Sequence, residues 1–361
     1  TFRLTGQASI QPRSFVFDLD TLRAKAGDYG WSNDQDVQFR LSDEGLRIMR
    51  AVFRRGDEEM SAHGLIGYRG NLDATFAIRQ FDLSVLNILL PYPELRTPGN
   101  GFLGTGEADV SLGGTAVDPA FSVRASSENF VLRKTKLGFV ESHFDYAGRR
   151  LDILIQNRIT RASTKSTLTV AGRMPADFSF TGAADRFPDL EQEIRIHADK
   201  FDISVFDPLI AELQNLTGHV NSNLTIGGTP RYPAYSGRME LSNVDFLFVP
   251  NNLPYIVNGT IEAMGSKLVL EGFTLENIPS ARPAGKMDLS GTITTDRFKL
   301  DSFDITGRGG LLIIGEETRR ALPEMYGPLF IRSDSEGLNL SGNLSRPFLS
   351  GNVFVTDAFI T

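Results

Sequence analysis

The sequence predicts a mainly β protein: an elongated sheet of many short strands with one apolar face, joined by two or three short amphipathic helices. Three observations carry this reading. Apolar and polar residues alternate along most of the chain, the period of a strand with one wet and one dry face. Gly, Asn or Asp closes most of these runs at roughly 10–14 residue intervals, the spacing of short strands joined by turns. One phrase also recurs at a long, fixed spacing, the mark of a repetitive architecture.

Val37, Phe39 and Leu41 alternate with polar neighbours, as do Leu72, Ala74, Phe76 and Ile78. Leu151, Ile153 and Ile155 follow, then Leu168 and Val170, then Ile194 and Ile196. The last third continues with Leu224 and Ile226, Met239 and Leu241, Leu268 and Leu270, Met287 and Leu289, and Leu338 and Leu340. Runs of this kind amount to about 25 strands. Two stretches break the period. Leu83, Val85, Leu86, Ile88, Leu89 and Leu90 follow Asp82 and stop at Pro91 and Pro93. Ile203, Val205, Phe206, Leu209, Ile210 and Leu213 follow Asp202. Each joins an N-cap candidate to a helical apolar stripe, so both are expected to be helices. Residues 316–321 are a third candidate.

The repeat is read from three phrases: Leu112-Gly-Gly-Thr-Ala-Val-Asp-Pro119, Ile226-Gly-Gly-Thr-Pro-Arg-Tyr-Pro233 and Leu340-Ser-Gly-Asn-Leu-Ser-Arg-Pro347. The prolines stand 114 residues apart twice (233 − 119 and 347 − 233). Gly114, Gly228 and Gly342 keep register, and so do Phe121, Tyr235 and Leu349. Phe81-Asp-Leu-Ser-Val-Leu86 likewise matches Phe201-Asp-Ile-Ser-Val-Phe206. This grammar divides the chain into a partial β segment over 1–80, repeat units over 81–200 and 201–315, and a partial variant over 316–361. A shorter echo sets Leu268, Leu270, Phe273 and Leu275 against Phe298, Leu300, Phe303 and Ile305. The step from two to three residues inside each phrase predicts a β-bulge that curves the sheet.

Neighbouring short strands tend to pair, and stacking them at ~4.8 Å gives a sheet on the order of 120 Å long. Such a sheet twists and curls, and a mixed sheet is expected. Its apolar face has few helices to cover it. Two outcomes stay open: a packed solenoid closed on itself, or a trough whose inner face is left for a ligand.

Composition narrows the function. Net charge is −7, with 37 basic and 44 acidic residues spread along the length, so no basic cluster exists to neutralise a run of phosphates and nucleic acid is not an expected partner. There is no Cys, which excludes disulfides and thiolate metal sites. Phe outnumbers Tyr and Trp, 26 against 8 and 1, and Phe belongs where nothing needs a hydrogen bond. No stretch approaches the ~18 apolar residues of a membrane span. Both ends, Thr1 and the strand pattern near Val353, read as cut from a longer chain. Gly99-Asn-Gly-Phe-Leu-Gly104 has the G-x-G-x-x-G spacing but is followed by a strand pattern, so it reads as a loop. His63, His143, His197 and His219 lack metal-ligand spacing and read as solvated strand residues. No G-x-S-x-G nucleophile elbow occurs, so no catalytic residue is named and no cofactor is expected. The sequons at Asn215, Asn223 and Asn258 read as polar turn and strand residues.

Residues 216–361 resemble the C-terminal part of the TamB family, the inner-membrane subunit of the bacterial translocation and assembly module. The resemblance lies in Thr217-Gly-His-Val-Asn-Ser-Asn-Leu-Thr-Ile-Gly-Gly-Thr with Pro233, in Ser236-Gly-Arg-Met-Glu-Leu-Ser-Asn-Val-Asp-Phe246, and in Asn258-Gly-Thr-Ile-Glu. Gly285-Lys-Met-Asp-Leu-Ser-Gly-Thr-Ile293 and Leu338-Asn-Leu-Ser-Gly342 complete it, and a weaker copy runs through 72–180. The resemblance implies a β-taco, an open trough with an apolar concave face. It implies a periplasmic protein anchored in the inner membrane by a segment outside this one, with an outer-membrane insertase-type β-barrel partner. It implies kinship with the AsmA-like and bridge-like lipid transfer proteins, a phospholipid cargo and no enzymatic activity. On that reading the lipid groove is lined by Phe76, Ile78, Ile153, Ile155, Leu168, Val170, Ile194, Ile196, Leu224 and Ile226, then by Met239, Leu241, Leu268, Leu270, Met287, Leu289, Phe298, Leu300, Leu338 and Leu340. A charge on this face, as in Leu270→Arg or Phe298→Asp, is expected to block passage with modest loss of fold. Two rivals remain: a scaffold for outer-membrane protein assembly by β-augmentation, and a parallel β-helix adhesin or polysaccharide-active protein, which the 30-residue echo keeps in play.

Overall fold

The computed structural model describes residues 2–26, 29–33, 35–68, 70–89, 101–132, 134–180, 182–183, 185–209, 212–278, 284–296, 299–324 and 327–358. The chain divides into two units, Thr1–Leu190 and Glu191–Thr361.

In the first unit the strands are β1 (Phe2–Gln11), β2 (Ser14–Ala26), β3 (Tyr29–Asn33), β4 (Val37–Ser42), β5 (Gly45–Arg55), β6 (Glu58–Gly67) and β7 (Leu72–Asp82). They continue with β8 (Phe102–Leu103), β9 (Thr105–Gly114), β10 (Pro119–Leu132), β11 (Thr135–Ala147), β12 (Arg150–Arg158) and β13 (Leu168–Pro175). β2 pairs with β1, β3 and β4; pairing then runs β4–β5–β6–β7–β9–β10–β11–β12–β13, with β8 on the far end of β10. The second unit holds β14 (Glu193–Asp202), β15 (Leu213–Gly228), β16 (Pro233–Phe248), β17 (Leu253–Gly265), β18 (Lys267–Asn277), β19 (Lys286–Asp296) and β20 (Lys299–Ile314) in sequential pairing. β20 is shared between β21 (Leu329–Ser333) and β22 (Leu338–Asn343), which pair in turn with β24 (Val353–Ala358) and β23 (Arg346–Ser350).

Every pairing among the described strands is antiparallel, which corrects the expected mixed sheet and removes the parallel β-helix. The links explain it. Two residues, Pro12 and Arg13, separate β1 from β2, and so short a link permits only a hairpin, whereas parallel neighbours need a long crossover.

The repeated phrases occupy equivalent places. Gly114 and Gly228 end their strands and Gly342 is the penultimate residue of β22, all three at positive φ (76, 70 and 106°), and each is the register partner of the phrase's proline, Pro119, Pro233 or Pro347. A Cβ at any of the three would lie 2.4 Å from a carbonyl oxygen, that of Asp118, Tyr232 or Arg346. Gly228→Ala is therefore expected to lower stability by about 1–3 kcal/mol, the cost of a strained backbone position. Gly265→Ala, at φ 66° with open space around it, should lose only the left-handed penalty, about 1–2 kcal/mol. Urea melts of the two variants separate the clash from the dihedral cost.

The predicted bulges are present. Register shifts between Leu270 and Phe273 where β18 meets β19, and β20 carries an extra residue between Leu300 and Ser302 opposite Thr295 and Thr294. The same three-residue apolar step marks Ile78/Phe81, Ala198/Phe201 and Leu241/Val244. Left-handed residues sit inside these steps: Gln80, Lys200, Asn243 and Gly272 (φ 52, 48, 48 and 54°). Two of the backbone N–H groups displaced by the bulges donate to an asparagine on the next strand, Lys200 to Asn221 Oδ1 (2.8 Å) and Asn243 to Asn258 Oδ1 (2.7 Å).

The helices differ from expectation. Leu83–Val85 is a 3₁₀ turn that runs into one four-residue α-helix, α1 (Leu86–Leu89). Ile203–Leu209 is wholly 3₁₀, Leu213 already belongs to β15, and Glu316–Arg320 is 3₁₀. Leu90 and Ile210 lie outside the described residues. The physical reason is length: so few residues give too few i→i−4 bonds to repay helix nucleation, and short segments take the tighter form. The two copies are built alike. Asp82 and Asp202 each accept from the Ser N–H two residues on, at 2.9 Å, and Phe81, Val85, Phe201, Ile203 and Val205 are buried.

Candidate functional site

Strand register joins the alternating residues into rows across the sheet. In the first unit Phe76 faces Val110, Val110 faces Val123, Val123 faces Phe144 and Phe144 faces Ile153. The next row runs Ile78, Ala108, Ala125, Ser142, Ile155 and Val170. Leu168 pairs with Asn157 one step further. The intervening residues project to the other side, which is polar. There Arg79 pairs with Asp109 (2.5 Å), Arg158 with Glu141 (2.5 Å) and Arg161 with Glu107 (3.0 Å). The Glu107 carboxyl is held below the usual carboxylate range by hydrogen bonds from Ser126 and Arg161, so it is ionised and paired on that outer side. Depressions on the polar face, such as the one among Arg79, Asp109, Arg124, Glu141 and Arg158, with Phe139 in its wall, are furrows of mixed polar and apolar lining between charged side chains.

The apolar face of the first unit is hollowed. A concavity of about 390 Å³ spans β7, β9, β10, β11 and β12, and its lining is almost wholly carbon. Ile78 and Phe81 meet it from β7, Leu83 and Leu86 from the turn after β7, and Phe130, Val140, Phe144 and Ile155 from the opposite side. Its cause is local. Bulges at Ile78/Phe81 on β7 and Ser127/Phe130 on β10 bend both strands at one level, since Phe81 and Ser127 are both register partners of Gly106. The turn carrying Leu83 and Leu86 is pinned at both ends: Asp82 N–H donates to Glu58 Oε1 (3.0 Å), and the Asn87 side chain makes two hydrogen bonds to the Phe102 backbone (2.9 and 2.7 Å).

Most of the twenty residues assigned to the groove are half-buried, neither solvated nor packed away. In the second unit Ile194 faces Ile226 and Ile196 faces Leu224, Met239 faces Ser222 and Ile261, and Leu241 faces Val220 and Gly259. Leu268 faces Ala263 and Ile293, and Leu289 faces Phe273 and Gly307. Others depart from this. Met287 and Leu338 are buried in a packed cluster with Leu253, Tyr255, Leu311, Leu312 and Phe330, so they face the protein's own side chains. Leu270 is 6% exposed, and a charge there would be buried without a partner, a cost of several kcal/mol. This corrects the expectation that Leu270→Arg brings only a modest loss of fold. Leu300 and Leu340 are open to solvent; Phe298 lies outside the described residues. Val110, Val123, Val140 and Phe144, absent from the predicted set, line the same face; alternation across residues 108–112 and 121–125 is the signal for two of them.

The histidines lie on strands: His63 meets Thr75 (2.8 Å), His197 meets Asn223 (2.6 Å) and His143 stands 3.6 Å from Glu141. Among the described residues no group of His, Asp and Glu is arranged to hold a metal ion, and no helix is long and apolar enough to cross a membrane.

The family model described as "TamB, N-terminal domain" matches residues 2–241. The match lies largely upstream of residues 216–361, where the phrases of resemblance run, and it is to the family's N-terminal domain rather than its C-terminal part. No curated protein and no solved structure matches the chain. The family is a non-enzymatic one of the bacterial cell envelope, involved in envelope biogenesis. A mainly antiparallel β-chain, with two-thirds of its length inside that model, belongs to the TamB family.

Proposed function

We propose that this segment is a periplasmic conduit for phospholipid, carrying acyl chains along the apolar faces of its sheets between the inner and outer membranes. The supporting observation is the hollow on the first unit's apolar face, with a carbon lining and half-buried Ile78, Phe144 and Ile155. Each acyl CH₂ kept out of water is worth about 0.8 kcal/mol, and apolar contact has no preferred direction, so a chain held this way slides without a chemical step. In this reading a membrane anchor outside the segment and an outer-membrane β-barrel of the insertase type supply the two ends of the route. Mass spectrometry of organic extracts from the purified protein tests it. Phospholipid is expected in stoichiometric amount; protein that stays lipid-free after purification from envelope membranes contradicts it.

One observation favours a second reading, a scaffold for outer-membrane proteins. Among the described residues β23 pairs on one side only, and its Phe348 and Leu349 are 64% and 58% exposed, the features of an edge that accepts another strand. Crosslinks from Val353 to client β-barrels would favour it.

A further inference from the structure

Resting on the conduit reading, we infer that the first unit's hollow takes one acyl chain at a time, and that Ala108, Ala125 and Ser142 set this limit. The three are register partners on adjacent strands, Ala108 with Ala125 and Ala125 with Ser142. Larger side chains close the row at both ends: Ile78 faces Ala108 and Ile155 faces Ser142. In the parallel row beside it stand Phe76, Val110, Val123, Phe144 and Ile153. The hollow therefore exists where the sheet's own side chains are one or two heavy atoms long. Its other flank is fixed. A Cβ at Gly106 would lie 2.9 Å from Leu83 Cδ2, so the turn carrying Leu83 rests directly on the sheet.

The volume of about 390 Å³ stands near the low end of the roughly 300–1,000 Å³ that small-molecule pockets occupy, a space for one slender chain rather than two side by side. The row runs across the strands, and from β7 to β12 it crosses four inter-strand gaps, about 19 Å, so the bound chain lies perpendicular to the strands. The lining has no charged group turned inward. Glu107 is paired with Arg161 outside, and Ser127 Oγ donates to Thr105 O (2.8 Å). The site thus reads a linear hydrocarbon and ignores the headgroup, whose second chain is held elsewhere or stays in the bilayer.

Photoreactive palmitate, with adducts mapped by peptide mass spectrometry on the full chain, tests this. At saturation we expect at most one adduct per molecule within β7–β12. Ala125→Leu and Ser142→Leu fill the floor, and each should reduce those adducts roughly fivefold or more, the equivalent of the smallest overpacking penalties, while adducts elsewhere on the chain persist. Circular dichroism checks both variants, so if one fails to fold the other carries the result. Double adducts within β7–β12, or full labelling of both folded variants, overturns the single-chain limit and leaves the conduit standing. Absence of adducts anywhere on the wild-type apolar faces overturns both.

Discussion

Ile155→Asp is expected to abolish lipid retention in the first unit while leaving the chain folded. Ile155 lines the hollow and is half-buried, so a carboxylate there keeps part of its hydration in the empty protein. A bound acyl chain would strip that water, and an unpaired ion in an apolar site costs several kcal/mol, more than a hundredfold in affinity. Leu154→Asp is the control. Leu154 is the neighbouring residue and faces His143 on the polar side, so this variant should retain lipid as the wild type does. Quantified phospholipid per mole of protein, with urea melts of both variants, reads the result. Equal lipid in the two variants would mean that this face is not where lipid sits.

The largest effect on stability is expected at Glu58. Its carboxylate is nearly buried, with its side chain 8% exposed, and it gathers four donors: Arg55 through two nitrogens, the Trp31 indole N–H (3.0 Å) and the Asp82 N–H (3.0 Å). Arg55 also lies over the Tyr29 and Trp31 rings at 4.5 and 5.4 Å, and Trp31 stacks on Phe81. One carboxylate therefore ties β3, β5 and β7 to the start of the turn that forms a wall of the hollow. Glu58→Ala strands these donors, and loss of one partner of a buried pair costs about 3 kcal/mol at the low end, the end that applies because the Arg55 side chain is 28% exposed. Glu58→Gln, which keeps shape and an acceptor, should cost less. Burial alone would raise the Glu58 carboxyl, but hydrogen bonds from Arg55 and the Asp82 N–H, the Arg55 charge and the Trp31 indole together hold it below the usual carboxylate range. A group depressed in the folded state adds stability above its unfolded value, and that contribution disappears as pH falls through the folded value. The stability gap between wild type and Glu58→Gln should thus be full at neutral pH and shrink below about pH 4, the ordinary carboxylate value. A gap that stays constant down to acid pH would show that the charge is not what holds the junction.

Much of this fold was legible because its devices are local. Alternation marks the strands, the Gly of each Gly-to-Pro phrase marks a positive-φ residue at or next to a strand end, and the three-residue step from Leu270 to Phe273 marks a bulge. The errors have equally local causes. Leu83, Val85 and Leu86 form a stripe that suits a helix, but the stretch is so short that capping by Asp82 and packing of Val85 decide its form instead. The direction of pairing is written in two-residue links such as Pro12-Arg13, which permit only hairpins. The hollow itself was hardly legible. A search for large apolar residues finds walls such as Ile78 and Ile155 and overlooks the floor, where Ala108 and Ala125 matter for what they lack. Alternation likewise cannot tell Met287, packed against Leu311 and Phe330, from Ile155, which meets open space, because the difference depends on which distant strand folds over each.

The most direct test replaces Phe144 or Asp145 singly with a benzophenone amino acid in the full-length protein and irradiates intact cells. The two residues are adjacent on β11 and project to opposite sides of the sheet, Phe144 beside Ile153 in the hollow and the exposed Asp145 beside Asp152. The conduit predicts phospholipid adducts at position 144 and none at 145. Adducts at neither position, with the protein folded and in place, would mean that the hollow carries no lipid.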